Sequence, residues 1–149
     1  MNKDAYGGPG RLAQALGLGG LIPFVGLALA SWAVAPAHQP DVLRALTAYA
    51  ATIASFVGAL HWGAAMHQEN AHASAMLVWG VLPSLIAWAA LLLAPLTGLL
   101  LLALLLALCY GVDQRMYPRI GLSRWLALRL RLSATAVASC LVAALSTRV

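Results

Sequence analysis

His61 is the residue of this 149-residue chain whose type and position most strongly suggest chemistry. It lies in the segment FVGALHWG, residues 56–63, inside a long apolar run, and Trp62 follows it directly. An ionisable side chain within a membrane-spanning segment is costly and indicates a functional role by default. Proton relay, haem or metal ligation and a polar contact between helices are all open for His61. The structural alternative is a neutral histidine that bonds a backbone carbonyl or water near the interface.

A second group of side chains with metal-binding types surrounds the next polar turn. His67 and His72 lie in this turn, and Met66 and Met76 flank it. Imidazole and thioether groups suit copper, but His-x4-His is not a recognised ligand spacing, and a lone histidine such as His61 specifies no metal. His67 and His72 are therefore weak metal candidates whose alternative role is to fill a polar turn. We predict no metal site and no cofactor.

Acid–base chemistry is poorly supplied, because the chain has only four acidic residues. The sequence shows no glycine-rich phosphate loop, no Ser/His/Asp set and no carboxylate pair. General acid–base and metal-assisted hydrolysis both need such groups. We predict no catalytic residues, and the sequence does not indicate an enzyme.

The composition places these residues in a membrane protein. The chain is 62% hydrophobic and 9% charged, whereas soluble domains have about 25% charged and about 45–50% apolar residues. This excludes a soluble enzyme, a disordered chain and a disulfide-stapled secreted module. The net charge of +5 does not indicate nucleic acid, because the basic residues lie between apolar runs and therefore set topology.

Five apolar runs position the candidate residues, and each has the length needed to span a bilayer. The predicted spans are about 12–35, 42–66, 73–94, 96–112 and 125–146. The predicted fold class is therefore an all-α integral membrane protein, a bundle of five transmembrane helices. A flexible N-terminal head, 1–11, precedes the single membrane domain, 12–146, and a short tail, 147–149, follows it.

The distribution of lysine and arginine predicts the orientation, because these residues are enriched in cytoplasmic loops. One side of the bundle carries Arg44 and Arg148. The other side carries Lys3, Arg11, Arg115, Arg119, Arg124, Arg129 and Arg131. The N-terminus is thus predicted to be cytoplasmic and the C-terminus outside, in a multi-pass protein of the bacterial cytoplasmic (inner) membrane.

Small residues predict which helices pack closely, because they allow helix backbones to approach in lipid. The second run is rich in alanine and glycine, so we place it at the centre of the bundle. The fourth run is leucine all round and is predicted to face lipid. Pro23 and Pro83 are predicted to kink the first and third helices. The predicted close-packing positions are Gly17, Gly20, Ser55, Gly58 and Gly63.

Two further pairs of residues allow a prediction about whether their side chains bond to each other. Asp113 ends the fourth run and Arg129 begins the fifth on the same membrane side, so an ion pair could close this hairpin. The alternative is that Arg129 extends to the lipid headgroups, as Arg131 on another helix face would. Cys109 and Cys140 lie at depths too different for a disulfide, and both are predicted to be free thiols.

The order of motifs along the chain is also informative. They are GLGGLIPF at 17–24, Tyr49-x3-Ile-x-Ser-Phe-x-Gly-x2-His-Trp-Gly, Trp79-x3-Pro-Ser-Leu-Ile-Ala-Trp, Asp113, and Trp125-x2-Leu-Arg-x2-Leu-Ser. Over about residues 12–145 this pattern resembles the domain-of-unknown-function 3429 family of transmembrane protein 69-like membrane proteins. In that family arginine can stand at the position of His61, which implies a polar or cationic contact rather than a ligand. Ser133 departs mildly from the usual threonine. The resemblance implies the fold and not an activity.

Three functions remain open from the sequence. The leading hypothesis is an accessory or structural component that acts through helix–helix contacts in a membrane complex or homo-oligomer. Its partners would be the lipid bilayer and other membrane proteins or a second copy, and no nucleic acid is expected. The alternatives are a small-solute or ion transporter or channel, with a path lined by helices one to three and His61, and a haem- or metal-binding membrane enzyme.

Overall fold

The computed structural model describes residues 8–66 and 73–147, in which almost every apolar run is helical. The first run forms two helices, α1 (Arg11–Gly19) and α2 (Ile22–Ala33). They are followed by α3 (Gln39–Ala65), α4 (Ala73–Leu91), α5 (Pro95–Met116) and α6 (Leu126–Leu145). Two short 3-10 helices, Tyr117–Ile120 and Ser123–Trp125, connect α5 to α6.

The described residues contain five helical segments that are long and apolar enough to cross a membrane. They are Arg11–Ala33, Gln39–Ala65, Ala73–Leu91, Pro95–Ile120 and Ser123–Leu145. Within the described ranges the chain has no β-strand. The predicted all-α bundle of five spans is therefore confirmed, while its orientation in the membrane stays a prediction. Residues 1–7 of the predicted head and 148–149 of the predicted tail lie outside the described residues.

The first span is broken and not merely kinked at Pro23. The first helix ends at Gly19, and α2 starts at Ile22 with Pro23 in its first turn. Proline lacks the N–H that would bond the carbonyl four residues earlier, but it is well suited to a first helical turn. The Tyr49 hydroxyl donates a hydrogen bond of 2.7 Å to the Gly20 carbonyl at this break. The break therefore has a specific partner on α3.

Replacing Tyr49 with phenylalanine tests how much this hydrogen bond contributes. The ring would still pack edge-on against Phe24, whose centroid lies 5.0 Å away, while the donor to Gly20 is lost. We expect the free energy of unfolding to fall by about 1 kcal/mol, measured by denaturant titration in mixed micelles. Tyr110→Phe is the matched control, because the Tyr110 hydroxyl contacts the exposed Gln114 side chain. Equal effects of the two changes would show that the helix break does not depend on Tyr49.

Helix α3, which forms the second span, lies at the centre of the bundle, as the small residues of the second run predict. It packs against α2, α4, α5 and α6. A Cβ added at Gly58 would lie 2.8 Å from the Gly80 carbonyl oxygen and 3.0 Å from Cγ of Pro83. Pro83 lies inside α4, which continues on both sides of it. Gly58 and Pro83 thus allow α3 and α4 to approach closely.

The structure leaves one prediction about helix packing open and corrects another. A Cβ at Gly63 would meet nothing within 4 Å, so close packing at Gly63 stays a prediction. Helix α5, which corresponds to the fourth predicted run, is not wholly lipid-facing, because one side of it is buried in the core. The buried leucines are Leu99, Leu102, Leu105 and Leu106, and the exposed ones include Leu100, Leu104 and Leu108. A helix that is leucine all round does not reveal which side faces the other helices.

The fifth helix is also longer than predicted, which changes the place of Asp113. The sequence suggested that this residue stops the helix, whereas α5 runs through it to Met116 and leaves Asp113 fully buried. Cys109, one turn earlier, is buried and free, as is Cys140 on α6. The prediction of two free thiols is confirmed.

Candidate functional site

Three helices bring His61, Asp113 and Arg129 together inside the bundle. His61 lies near the end of α3, Asp113 in the last turn of α5, and Arg129 in the first turn of α6. Their exposed fractions are 1%, 0% and 8%. Buried ionisable side chains are rare unless they are paired, so this cluster is the strongest candidate for a functional site.

The carboxylate of Asp113 lies between the other two side chains. The Arg129 Nε–H donates to Asp113 Oδ2 at 2.7 Å, and Arg129 Nη2 lies 2.7 Å from the same oxygen. The other oxygen, Oδ1, lies 3.4 Å from His61 Nε2. Neither Asp113 Oδ1 nor His61 Nε2 has a well-aligned hydrogen bond within residues 8–66 and 73–147. Arg129 therefore binds one edge of the carboxylate, and His61 faces the other edge.

Tyr117 completes the cluster on the side of α5. Its ring centroid lies 6.0 Å from that of His61, and the residue is 5% exposed. A tyrosine hydroxyl can both donate and accept a hydrogen bond. Tyr117 therefore adds a hydroxyl group to the side chains beside His61.

A cavity of about 670 Å³ adjoins this cluster, and we call it the lateral groove. It is lined from α1, α2, α3, α5 and α6 and the 3-10 segments between the last two, and no described residue of α4 contributes. Its walls are mostly apolar, and among the described residues four polar side chains line it: His61, Tyr117, Arg129 and Ser133. Asp113 does not line the groove and lies behind these side chains. The groove thus combines apolar walls with a small polar region.

The polar region lies at one end of the groove. Along α3 the lining extends from Ile53 to Ala64, a depth of about 16 Å at 1.5 Å per residue. His61 is about one turn from the end of α3, and Arg129 is about one turn from the start of α6. Phe56 and Leu60 line the groove although they are 63% and 40% exposed. The groove therefore opens sideways between helices, toward the surface that lipid would cover.

The remaining sequence-predicted residues take other places. The Trp62 indole N–H donates to the Leu77 carbonyl at 2.7 Å, and its ring occupies the space beside Gly80, so Trp62 joins α3 to α4 outside the groove. The Ser55 hydroxyl donates to the Ala51 carbonyl within α3. Gly17 and Gly20 line the groove from α1 and its C-terminal end. The weak metal candidates His67 and His72 lie outside the described residues.

The described residues form no group of three or more His, Cys, Asp or Glu side chains that could hold a metal ion. His61 and Asp113 are the two such side chains of the buried cluster that contact each other, and Arg129 occupies one side of the carboxylate. The arrangement gives Asp113 a hydrogen-bonded cation on one edge and an imidazole at 3.4 Å on the other. It does not resemble a coordination shell.

Tyr117 and Ser133 were missed as site residues by sequence reasoning, although a signal was present. Tyr117 follows Asp113 by four positions, and Ser133 follows Arg129 by four. Residues at this spacing share one face of a helix. For Tyr117 the signal was hidden because the fourth predicted span ended at residue 112, whereas Arg129 and Ser133 both lay within the fifth predicted span.

Comparison with known proteins identifies the family. One curated relative, Transmembrane protein 69 of Xenopus tropicalis, is 44% identical over 80 residues, which cover 52% of this chain and 31% of the relative. The chain therefore matches less than a third of that relative's length. No solved structure matches the chain. The family model described as a protein of unknown function, DUF3429, matches residues 9–145. Since that match spans nearly the whole bundle, the chain belongs to the DUF3429 family.

Proposed function

We propose that this multi-pass membrane protein binds a lipid-soluble molecule in the lateral groove. The observation that carries the proposal is the groove itself, about 670 Å³ of mostly apolar space with a polar region at one end. Small-molecule sites are typically cavities of about 300–1,000 Å³ with apolar walls and a few placed polar groups. The sideways opening at Phe56 and Leu60 would let such a molecule enter from the bilayer.

A groove-filling substitution on α3 tests this proposal. Ala64 lines the groove, so Ala64→Phe places a ring in the space that a ligand would occupy. Ala59→Phe is the matched control, because Ala59 is exposed and is not part of the lining. Native mass spectrometry of protein extracted in mild detergent should show one bound lipid-soluble molecule on the wild type and on Ala59→Phe. We expect its occupancy to fall at least about tenfold in Ala64→Phe, since a ring blocks the site.

Two results of that measurement would contradict the proposal. One is a wild-type protein that carries no such molecule. The other is equal occupancy in Ala64→Phe and Ala59→Phe, which would indicate lipid bound at the outer surface. Both variants add the same ring to the same helix, so a general effect of the larger side chain would appear in both.

A second candidate function is an accessory component that acts through helix–helix contacts in a membrane complex or homo-oligomer. The observation that favours it is a stripe of exposed positions on α3, at Ala48, Thr52, Ala59 and Gly63. Small residues on an exposed face let another helix approach closely in lipid. Under this proposal Ala59→Phe, and not Ala64→Phe, would disrupt the assembly, so the same pair of variants separates the two functions. We propose the bacterial cytoplasmic membrane as the location for either.

Transport along a path lined by the first three predicted spans, which correspond to α1–α2, α3 and α4, receives less support. The third span, α4, contributes no described residue to the groove, while the polar region is formed by α3, the 3-10 segment that starts at Tyr117, and α6. A binding site that opens to the lipid therefore fits the geometry better than a path along α4.

A further inference from the structure

We infer that the lateral groove selects a neutral carbonyl compound with a flat ring and an apolar tail, of the quinone class. The ring would lie at the polar end, with one carbonyl oxygen accepting hydrogen bonds from Tyr117 and its neighbours. This inference rests on the proposed function and specifies the ligand of the same groove.

Each of the four polar side chains of the described lining can donate a hydrogen bond, and none of them is an anion. Arg129 has donors only, and the Tyr117 hydroxyl can donate its hydrogen. The acceptor of the cluster, Asp113, is fully buried and does not line the groove. Among the described residues no carboxylate lines the groove, so a ligand with an acceptor atom matches the described polar side chains better than one that only donates.

The charge of the cluster favours a neutral acceptor over an anion. Among the described groove-lining residues Arg129 is the one permanent cation, and it is paired with Asp113 by contacts of 2.7 Å. A phosphate or carboxylate entering the groove would lose its hydration and meet a cation that is already neutralised. Burying an unpaired charge is much more costly than burying a hydrogen-bonded neutral group. A carbonyl oxygen obtains hydrogen bonds here without that penalty.

The shape of the walls favours a flat ring joined to an apolar tail. Phe24, Phe56, Tyr117 and Trp125 all line the groove, and aromatic side chains pack favourably against flat rings by stacking or edge contacts. Leucine side chains also line the groove, and Phe56 and Leu60 at its edge are exposed. A tail could follow this route into the bilayer.

The test compares three probes that carry the same tail. They are a decyl-substituted benzoquinone, decylbenzene and decanoate, titrated calorimetrically into the full chain in lipid nanodiscs. We expect the quinone to bind at least about tenfold more tightly than either other probe, because only it supplies a neutral acceptor. Tyr117→Phe should weaken quinone binding about fivefold, which is the loss of one hydrogen bond. Tyr110→Phe, in the same membrane span and outside the groove, should leave it unchanged.

The outcomes separate this inference from the proposed function. If decylbenzene or decanoate binds as tightly as the quinone, and Ala64→Phe removes that binding, the groove is a ligand site but the carbonyl preference is wrong. Unchanged quinone affinity in a folded Tyr117→Phe protein would also overturn the inference. If no probe shows binding that depends on Ala64, the proposed function itself fails. Thermal unfolding of each variant shows whether its fold is retained.

Discussion

Replacing Asp113 with asparagine should lower the free energy of unfolding by about 3–5 kcal/mol, the cost of leaving one partner of a buried ion pair alone. Asparagine has the same shape as aspartate, so the change removes the charge without opening a cavity. The Arg129 guanidinium, 2.7 Å away and 8% exposed, would keep its charge in an apolar setting.

A double-mutant cycle distinguishes loss of the pair from a general weakening of α5. Arg129→Met removes the buried cation and fills a similar volume, so Asp113→Asn combined with Arg129→Met should recover much of the stability lost in Asp113→Asn alone. Unfolding would be followed by denaturant titration in mixed micelles. If the double variant is destabilised by the sum of the two single changes, the residues are not coupled and the pair has no energetic role.

An exposed ion pair in the same chain supplies the control. Asp41 and Arg44 lie 3.5 Å apart with side chains that are 70% and 69% exposed. Water screens such pairs, and many contribute about 0–1 kcal/mol. Asp41→Asn should therefore change the free energy of unfolding by no more than about 0.5 kcal/mol. The contrast with Asp113→Asn would show that burial makes the pair important.

The number of spans was predictable because length and apolar content decide whether a segment can cross a bilayer. The internal contacts were less accessible, because they depend on which face of each helix meets a neighbour. Gly58 and Gly63 illustrate this, since both are small residues of α3, yet Gly58 contacts α4 and Gly63 lies at the surface. Their residue types are identical, and only their rotation around the helix differs.

Asp113 shows why the candidate site could be only partly predicted. A lone carboxylate after an apolar run is typical of a helix that has left the membrane, and the sequence alone supports that interpretation. The residue is buried because His61 and Arg129, from two other helices, approach it to 3.4 and 2.7 Å. The sequence suggested the link to Arg129 through the α5–α6 hairpin. The link to His61 depends on how α3 packs against α5, which no local pattern specifies.

Gly98→Ala should be the second most damaging change, lowering the free energy of unfolding by about 3 kcal/mol. A Cβ on Gly98 would overlap the Ala90 carbonyl oxygen and lie 3.3 Å from the carbonyl carbon. The obstacle is backbone of α4, which cannot change rotamer as a flexible side chain can. The helices α4 and α5 are joined by only a short turn, because one ends at Leu91 and the other begins at Pro95. The added methyl group can be accommodated only if these two helices move apart.

Gly111→Ala is the matched control on the same helix. A Cβ at Gly111 would meet nothing within 4 Å, and alanine is favoured over glycine in helices by about 1 kcal/mol. We therefore expect unchanged or slightly higher stability, measured by the same denaturant titration. Equal loss at Gly98 and Gly111 would mean that any added methyl group disturbs α5 and that the approach to Ala90 is not limiting. The Thr47 side chain of α3 would lie 3.4 Å from the added atom, which is an ordinary contact. A loss confined to Gly98 would therefore show that the approach of the Ala90 carbonyl at this one glycine sets the packing distance between α4 and α5.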